Sequence, residues 1–277
     1  MTARTPVALT IAGSDSGAGA GVQADLRTFA ALGVYGTSAI TAVTAQNTRG
    51  VAAVHPLPAA IVTAQIDAIF GDFDVAAVKI GMLGGRAIVE AVADALLRHR
   101  PRFVVLDPVM IATSGARLLE PEAIVAMDSR LFPMLDCLTP NLPEAGVLTG
   151  EAAARDEAAM LRQGRALLAR GPRAVLMKGG HLDSAEAVDL LVTAAGARRY
   201  ACVREASRNL HGTGCTLSAA IAAEIVLGRT LGEAVARAKA LVAAAIRAGR
   251  AVTLGAGPGP LLQSPLGRVA RASHDEG

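Results

Sequence analysis

Short apolar runs alternate with alanine-rich stretches of helical period along almost the whole chain, and most runs end at a glycine, proline or polar residue. That alternation admits few folds. Strands separated by helices make βαβ units, and such units build a mainly parallel sheet with helices on both faces. The runs predict strands over residues 7–12, 34–44, 75–80, 103–106, 137–138 and 174–177. A further pair, 187–193 and 198–203, is split by Ala194-Ala195-Gly196 and reads as a hairpin. Helices are expected over 22–32 with Gly33 as its cap, then 59–69, 85–98, 121–131 and 156–170, the last stopped by Gly171-Pro172. Two more, 213–227 and 231–248, meet at Gly228. The fold class is therefore α/β, with no linker or internal repeat. One domain is expected over 1–263, followed by a polar, flexible tail over 264–277.

Composition removes several classes of function. With 52% hydrophobic and 18% charged residues among 277, the chain is not globally disordered. The formal charge is +3, from 27 Lys+Arg against 24 Asp+Glu, without a dense basic run, so nucleic acid has little electrostatic support as a partner. Cys137, Cys202 and Cys215 form no CxxC and cannot all pair, which suits a reducing interior. The glycine-rich N-terminal stretch is wrong for a signal peptide. The longest uncharged stretch, 28–48, carries Gly33, Gly36, several threonines, Gln46 and Asn47, which argues against a membrane span. A cytoplasmic protein is expected.

In open α/β sheets ligands sit beyond the carboxyl ends of the strands, so the residues just past each run matter most. After the first comes Gly13-Ser14-Asp15-Ser16-Gly17-Ala18-Gly19-Ala20-Gly21, a turn in which glycines permit close approach to a ligand. It is no dinucleotide fingerprint, because Val22 stands where GxGxxG needs its last glycine, and no P-loop motif occurs anywhere in the chain. The chain holds only the lysines Lys79, Lys178 and Lys239. Lys178, followed by Gly179-Gly180-His181, suits phosphate oxygens as a point charge. Lys79 reads as a paired structural charge, and Lys239 as a solvated helix lysine. Asp107, before Pro108, and Glu144, after Asn141-Leu142-Pro143, suit Mg²⁺, directly or through water; equally, Asp107 can cap a turn and Glu144 can open a helix.

The sharpest signal is Asn209-Leu210-His211-Gly212-Thr213-Gly214-Cys215-Thr216, where Gly-Thr-Gly opens a strongly helical run. Backbone N–H groups at such a helix start form an anion hole for a phosphoryl group in transfer. Cys215 falls in the first turn, where the same field is expected to lower a thiol pKa, so that a thiolate takes the proton of an attacking hydroxyl. Cys137 and Cys202 read as structural and buried, and His211 as a packing or backbone-bonded group. The remaining histidines form no metal cluster.

Together the segments 13–25, 40–48, 79–83, 106–110, 138–145, 177–181 and 211–218 resemble the hydroxymethylpyrimidine/phosphomethylpyrimidine kinases of thiamine biosynthesis, within the ribokinase-like superfamily. The likeness runs in order from about residue 7 to 260. It implies a three-layer αβα sandwich and the phosphorylation, with ATP and Mg²⁺, of 4-amino-5-hydroxymethyl-2-methylpyrimidine and then of its monophosphate. By the same resemblance Cys215 is the base and Gly212, Thr213 and Gly214 are the anion hole. Lys178 faces the nucleotide phosphates, and Asp107, Asn141 and Glu144 occupy the nucleotide–metal region. Gly13, Ala20, Asp25, Gln46, Met82 and Val109 line the pyrimidine site. The carboxamide of Gln46 suits an aminopyrimidine because it offers a donor and an acceptor along one edge. Expected partners are the pyrimidine and ATP, with neither nucleic acid nor membrane, in a homodimer. Two departures touch the nucleotide side: Leu210 where members often carry threonine, and Thr113 near a position often held by lysine. A pyridoxine, pyridoxal or pyridoxamine kinase on the same scaffold, and a silent ligand-binding protein, are the competing readings.

Overall fold

Alternate residues along the inner strands face opposite sides, and this decides the layering. Leu9 and Ile11 pack into one core and Ala8 into another; Val175 and Met177 divide from Ala174 and Leu176 in the same way. The computed structural model describes residues 5–110, 119–180 and 182–263. The expected tail over 264–277, the departure at Thr113 and the motif residue His181 lie outside them.

The strands are β1 (Val7–Asp15), β2 (Tyr35–Asn47), β3 (Gly50–Pro56), β4 (Val75–Ile80), β5 (Val104–Leu106), β6 (Cys137–Leu138), β7 (Ala174–Lys178), β8 (Glu186–Thr193) and β9 (Gly196–Val203). The helices are α1 (Gly21–Ala31), α2 (Ala59–Asp72), α3 (Arg86–His99), α4 (Pro121–Ala126), α5 (Leu142–Thr149), α6 (Glu157–Leu168), α7 (Thr213–Val226) and α8 (Leu231–Gly249). All nine strands form one sheet in the order β3-β2-β1-β4-β5-β6-β7-β8-β9. It is parallel from β2 through β7, and β3, β8 and β9 join antiparallel at the two edges. Helices α2 to α6 cover one face around Val62, Ile66, Val92, Leu131 and Met160. Helices α1, α7 and α8 cover the other through small side chains, Ala219 to Ala223 against Phe29 and Val235. This is the expected α/β class, a three-layer αβα sandwich with a mainly parallel sheet.

Strands and helices fall where the periodicity puts them, with three differences. The edge strand β3 was not foreseen, because most of Gly50–Pro56 faces solvent and its run of small residues shows no alternation. Helix α5 is an element of its own: Pro143 sits in its first turn, where a missing N–H costs nothing, and Asn141 and Glu144 close a capping box. The helix expected over 121–131 ends at Ala126, and Met127–Leu131 continues it as a wider π turn. Lys239 is not solvated. Its Nζ lies 2.6 Å from Asp189 Oδ2, with both residues buried.

Candidate active site

Parallel strands that end at one edge bring their last residues side by side. Here β1, β4, β5, β6 and β7 deliver Asp15, Lys79, Asp107, Asn141 and Lys178 to one rim. The backbone continues the register past the strands: Asp107 N–H donates to the Ile80 carbonyl at 2.9 Å and Lys178 N–H to the Pro140 carbonyl at 2.9 Å. A cleft of about 160 Å³ opens on this rim, walled by the Gly13–Gly21 turn, Gln46, Met82, Val109, Glu144 and the start of α7.

The start of α7 points its first turn into that cleft. Gly212, its N-cap, has φ +85°, and a Cβ there would lie 1.9 Å from the Gly19 carbonyl oxygen, so only glycine fits. Gly212, Gly214 and Cys215 line the cleft. Thr213 turns away: its N–H and its hydroxyl both donate to the Leu210 carbonyl. Thr216 N–H is taken by the Gly212 carbonyl at 2.9 Å, which leaves the N–H groups of Gly214 and Cys215 without an acceptor among the described residues. An anion hole of these two donors, with the helix dipole behind them, is what the loop can offer.

Cys215 itself departs from expectation. Burial pushes its thiol up to about 11; Lys79 and the Gly21 N–H pull it down, while Asp25 and Asp107 push it up. The helix-terminus field expected to lower the pKa is outweighed by the loss of water around a residue only 9% exposed. Behind it lies a buried ion pair, Lys79 Nζ to Asp25 Oδ2 at 2.7 Å, with Thr10 Oγ1 donating to the same oxygen at 2.6 Å. Burial alone would pull the Lys79 ammonium down, but Asp25, Cys215 and Asp107 hold it above its ordinary value. Asp25, expected in the pyrimidine site, is fully buried and does not reach the cleft wall. The pairing expected of Lys79 as a structural charge is present.

On the opposite wall one ammonium serves two carboxylates. Lys178 Nζ lies 2.5 Å from Asp107 Oδ1 and 3.9 Å from Glu144 Oε2. Glu144 Oε2 also accepts the Asn141 N–H at 2.7 Å, and Glu144 N–H donates to Asn141 Oδ1 at 2.9 Å. Burial pushes Glu144 up to about 7, with Lys178 pulling it down and Asp107 pushing it up. Two carboxylates sharing one ammonium leave an excess negative charge in a dry corner, which a divalent cation would offset. No group of three or more His, Cys, Asp or Glu is placed to hold a metal among the described residues. The donor set thus fits Mg²⁺ in its usual mode, one or two carboxylates completed by water and phosphate oxygens.

The third wall is polar and was not foreseen as a unit. Asp15 accepts the N–H groups of Gly17, Gly19 and Ala20 at 2.8, 3.0 and 2.9 Å. His211 Nε2 lies 3.0 Å from Asp15 Oδ2. Burial pushes Asp15 up, but the His211 hydrogen bond and the Ala20 and Gly17 N–H groups hold it below the usual carboxylate value. Gln46 Nε2 lies 3.2 Å from His211 Nε2, and Gln46 Oε1 lies 3.1 Å from Thr44 Oγ1. Of the residues expected at the pyrimidine, the structure brings Gly13, Ala20, Gln46, Met82 and Val109 to one cleft with Asp107, Asn141, Glu144 and Lys178. Cys137 is buried, with burial pushing its thiol up to about 12, whereas Cys202 is half-exposed rather than buried. Leu210, the departure next to the loop, exposes its side chain and contributes its carbonyl.

Comparison with known proteins bears on this geometry. The family model described as phosphomethylpyrimidine kinase matches residues 15–262. A hydroxymethylpyrimidine/phosphomethylpyrimidine kinase of Rhizobium meliloti is 56% identical over 257 residues, 93% of this chain and 96% of the relative. Among solved structures, a phosphomethylpyrimidine kinase from Clostridium difficile superposes with TM-score 0.77 at 46% identity, covering 88% of this chain and all of that one (100%). An ADP complex of Bacillus subtilis pyridoxal kinase superposes with TM-score 0.88 at 35% identity, covering 95% and 99%. No helix among the described residues is long and apolar enough to cross a membrane.

Proposed function

The chain belongs to the phosphomethylpyrimidine kinase family and is a phosphotransferase, and from that premise we propose that it phosphorylates 4-amino-5-hydroxymethyl-2-methylpyrimidine and then the monophosphate, with ATP as donor. The observation that carries this reading is the arrangement of the cleft. The first turn of α7, with Cys215, lies between the Lys178–Asp107–Glu144 cluster and the Gln46 wall. A phosphate donor is suited to the first and a polar ring edge to the second.

In this reading Gln46 and the Gly13–Gly21 turn hold the ring so that its hydroxymethyl group faces Cys215. The sulfur, in the thiolate form that Lys79 favours against burial, takes the hydroxyl proton as the oxygen attacks the transferred phosphoryl group and the nucleotide diphosphate leaves. The N–H groups of Gly214 and Cys215 meet the charge that develops on the transferred group. Gly212 holds that turn open, and Thr213 steadies it through Leu210 rather than facing the phosphate. Lys178 supplies positive charge on the nucleotide side, where Asn141 orders the carboxylate of Glu144. Asp107 and Glu144 would hold Mg²⁺, directly or through water, and the cation would supply positive charge against the phosphates. Nucleotide use is further supported by the ADP complex of the Bacillus relative. The assembly we propose is one kinase domain per chain, in a homodimer.

The same likeness supports a second reading, phosphorylation of pyridoxal or its congeners, since the Bacillus relative is named a pyridoxal kinase. A coupled assay of ADP release, run with the aminopyrimidine alcohol, its monophosphate, pyridoxine and no acceptor, separates the two. Turnover on both pyrimidines well above the blank is expected. Turnover on pyridoxine alone would transfer the assignment, and none on any acceptor would leave a silent binding protein.

A further inference from the structure

Hydrogen-bond accounting around Gln46 assigns His211 a task. Asp15 accepts three backbone N–H groups and is an ionised carboxylate, so it can only accept. The His211 Nε2 that lies 3.0 Å from it must therefore carry its hydrogen. Gln46 Nε2 lies 3.2 Å from that nitrogen, so an amide NH₂ faces an N–H and neither can accept. Turned over, the amide would present its carbonyl oxygen, which can share the N–H that Asp15 takes. At the other end Gln46 Oε1 lies 3.1 Å from Thr44 Oγ1, whose one hydrogen the Ser14 carbonyl at 3.0 Å also claims. With that hydrogen on Ser14, Thr44 can only accept, and the turned amide offers it the NH₂. A half-turn of the amide exchanges its two ends and removes both mismatches.

We propose that His211 is a positioning residue that locks the Gln46 amide with its oxygen toward the imidazole and its NH₂ toward Thr44. The consequence is a fixed order of donor and acceptor along the cleft. Gln46 spends one lone pair on His211 and one hydrogen on Thr44, and keeps one of each for a ring. A ring edge carrying an amine beside an unprotonated ring nitrogen matches that order. The oxo analogue of the same ring, with a carbonyl beside a ring N–H, presents the reverse order and needs the amide turned over. His211 is itself held in place: a Cβ at Gly19 would lie 2.2 Å from its Cδ2, so the turn is glycine where the imidazole presses on it.

This inference rests on the pyrimidine kinase reading, and its test keeps the two apart. The probes are the aminopyrimidine alcohol and its 4-oxo analogue. Both kcat/KM at fixed ATP and dissociation constants by calorimetry without ATP are measured. The wild type should prefer the amino ring in both. His211→Phe, which keeps a ring against Gly19, and Thr44→Val, which keeps shape and loses the hydroxyl, should each cut that preference about tenfold or more, the equivalent of one hydrogen bond left unmade. The loss should fall on KM and Kd, with kcat for the amino ring largely kept. His211→Gln, which can still donate to Asp15 and Gln46, should restore the preference. In a Gln46→Met background His211→Phe should change the preference no further. Equal proportional losses on both rings, or a preference untouched by either variant, would reduce His211 to packing. Binding of the amino ring without its phosphorylation would overturn the kinase reading, and the Kd ratios would still decide the role of His211.

Discussion

Lys79 Nζ lies 2.7 Å from Asp25 Oδ2, with neither side chain exposed, and of the two Lys79 alone borders the cleft that Cys215 lines. A pair so buried is held by mutual need, since each charge alone would be stranded without water. Asp25 Oδ1 has no hydrogen-bond partner among the described residues, so the pairing with Lys79 and Thr10 accounts for the carboxylate on one oxygen only.

Asp25→Asn is therefore expected to lower unfolding free energy by about 3–5 kcal/mol, the usual cost of breaking a buried pair. Asp25→Leu combined with Lys79→Met should recover much of that loss, because no charge is then left behind. Urea unfolding at neutral pH reads both. Unchanged stability with a raised KM for the pyrimidine would return Asp25 to the ligand-binding role that the resemblance implies.

Cys215→Ser and Cys215→Ala test the base. Positioned proton transfer contributes about 10²–10⁴-fold, so turnover should fall by that factor while calorimetric binding of the pyrimidine survives. Both variants change little volume beneath α7, and a thermal melt verifies the fold. Turnover within twofold of wild type would remove the sulfur from the mechanism.

The state of that thiol is open to a separate measurement. In a Cys202→Ser background, with Cys137 buried, alkylation by iodoacetamide should follow a pH profile with its midpoint at about 11. The sign follows from burial, which disfavours the thiolate, against Lys79, which favours it. Lys79→Met should move the midpoint still higher. A midpoint below about 8.5, the ordinary thiol value, would mean that the helix terminus governs after all.

Much of the fold was legible because each inner strand is a run of apolar residues closed by a marked residue. Parallel order then brings Asp107, Asn141 and Lys178 together without further information. Burial was not legible in the same way. The first-turn position of Cys215 suggests a lowered pKa, and only the packing around it reverses the sign. Lys239 resembles any surface helix lysine until β8 brings Asp189 beneath it. The contact of Gln46 with His211 spans 165 positions, and no local pattern in either segment announces it. Asp15 did carry a local signal, as the one carboxylate in a glycine-rich turn, where its oxygens collect N–H groups.

Glu144 yields a pH-dependent expectation. Its carboxyl is pushed up to about 7 in the folded chain, against an ordinary value of 4.5, because burial and Asp107 together outweigh Lys178. The folded state thus holds this proton more tightly than the unfolded one. The resulting stability is fully present below pH 4.5 and is lost as pH rises through about 7. Glu144→Gln is neutral at every pH and keeps an oxygen for the Asn141 N–H. Relative to wild type, its Tm should therefore gain as pH rises from 5 to 8, by a few degrees, since ~1 kcal/mol is worth roughly 2–4 °C in a chain of this size. The difference between the two proteins cancels every other titrating group, Asp15 included, whose lowered pKa acts in the opposite direction. Mg²⁺ added to the wild type with nucleotide should shrink that difference, because a bound cation offsets the carboxylate that the variant has lost. A Tm difference flat across this range would mean that Lys178 and Asn141 already balance the charge of Glu144, and that the corner has no excess for a cation to offset.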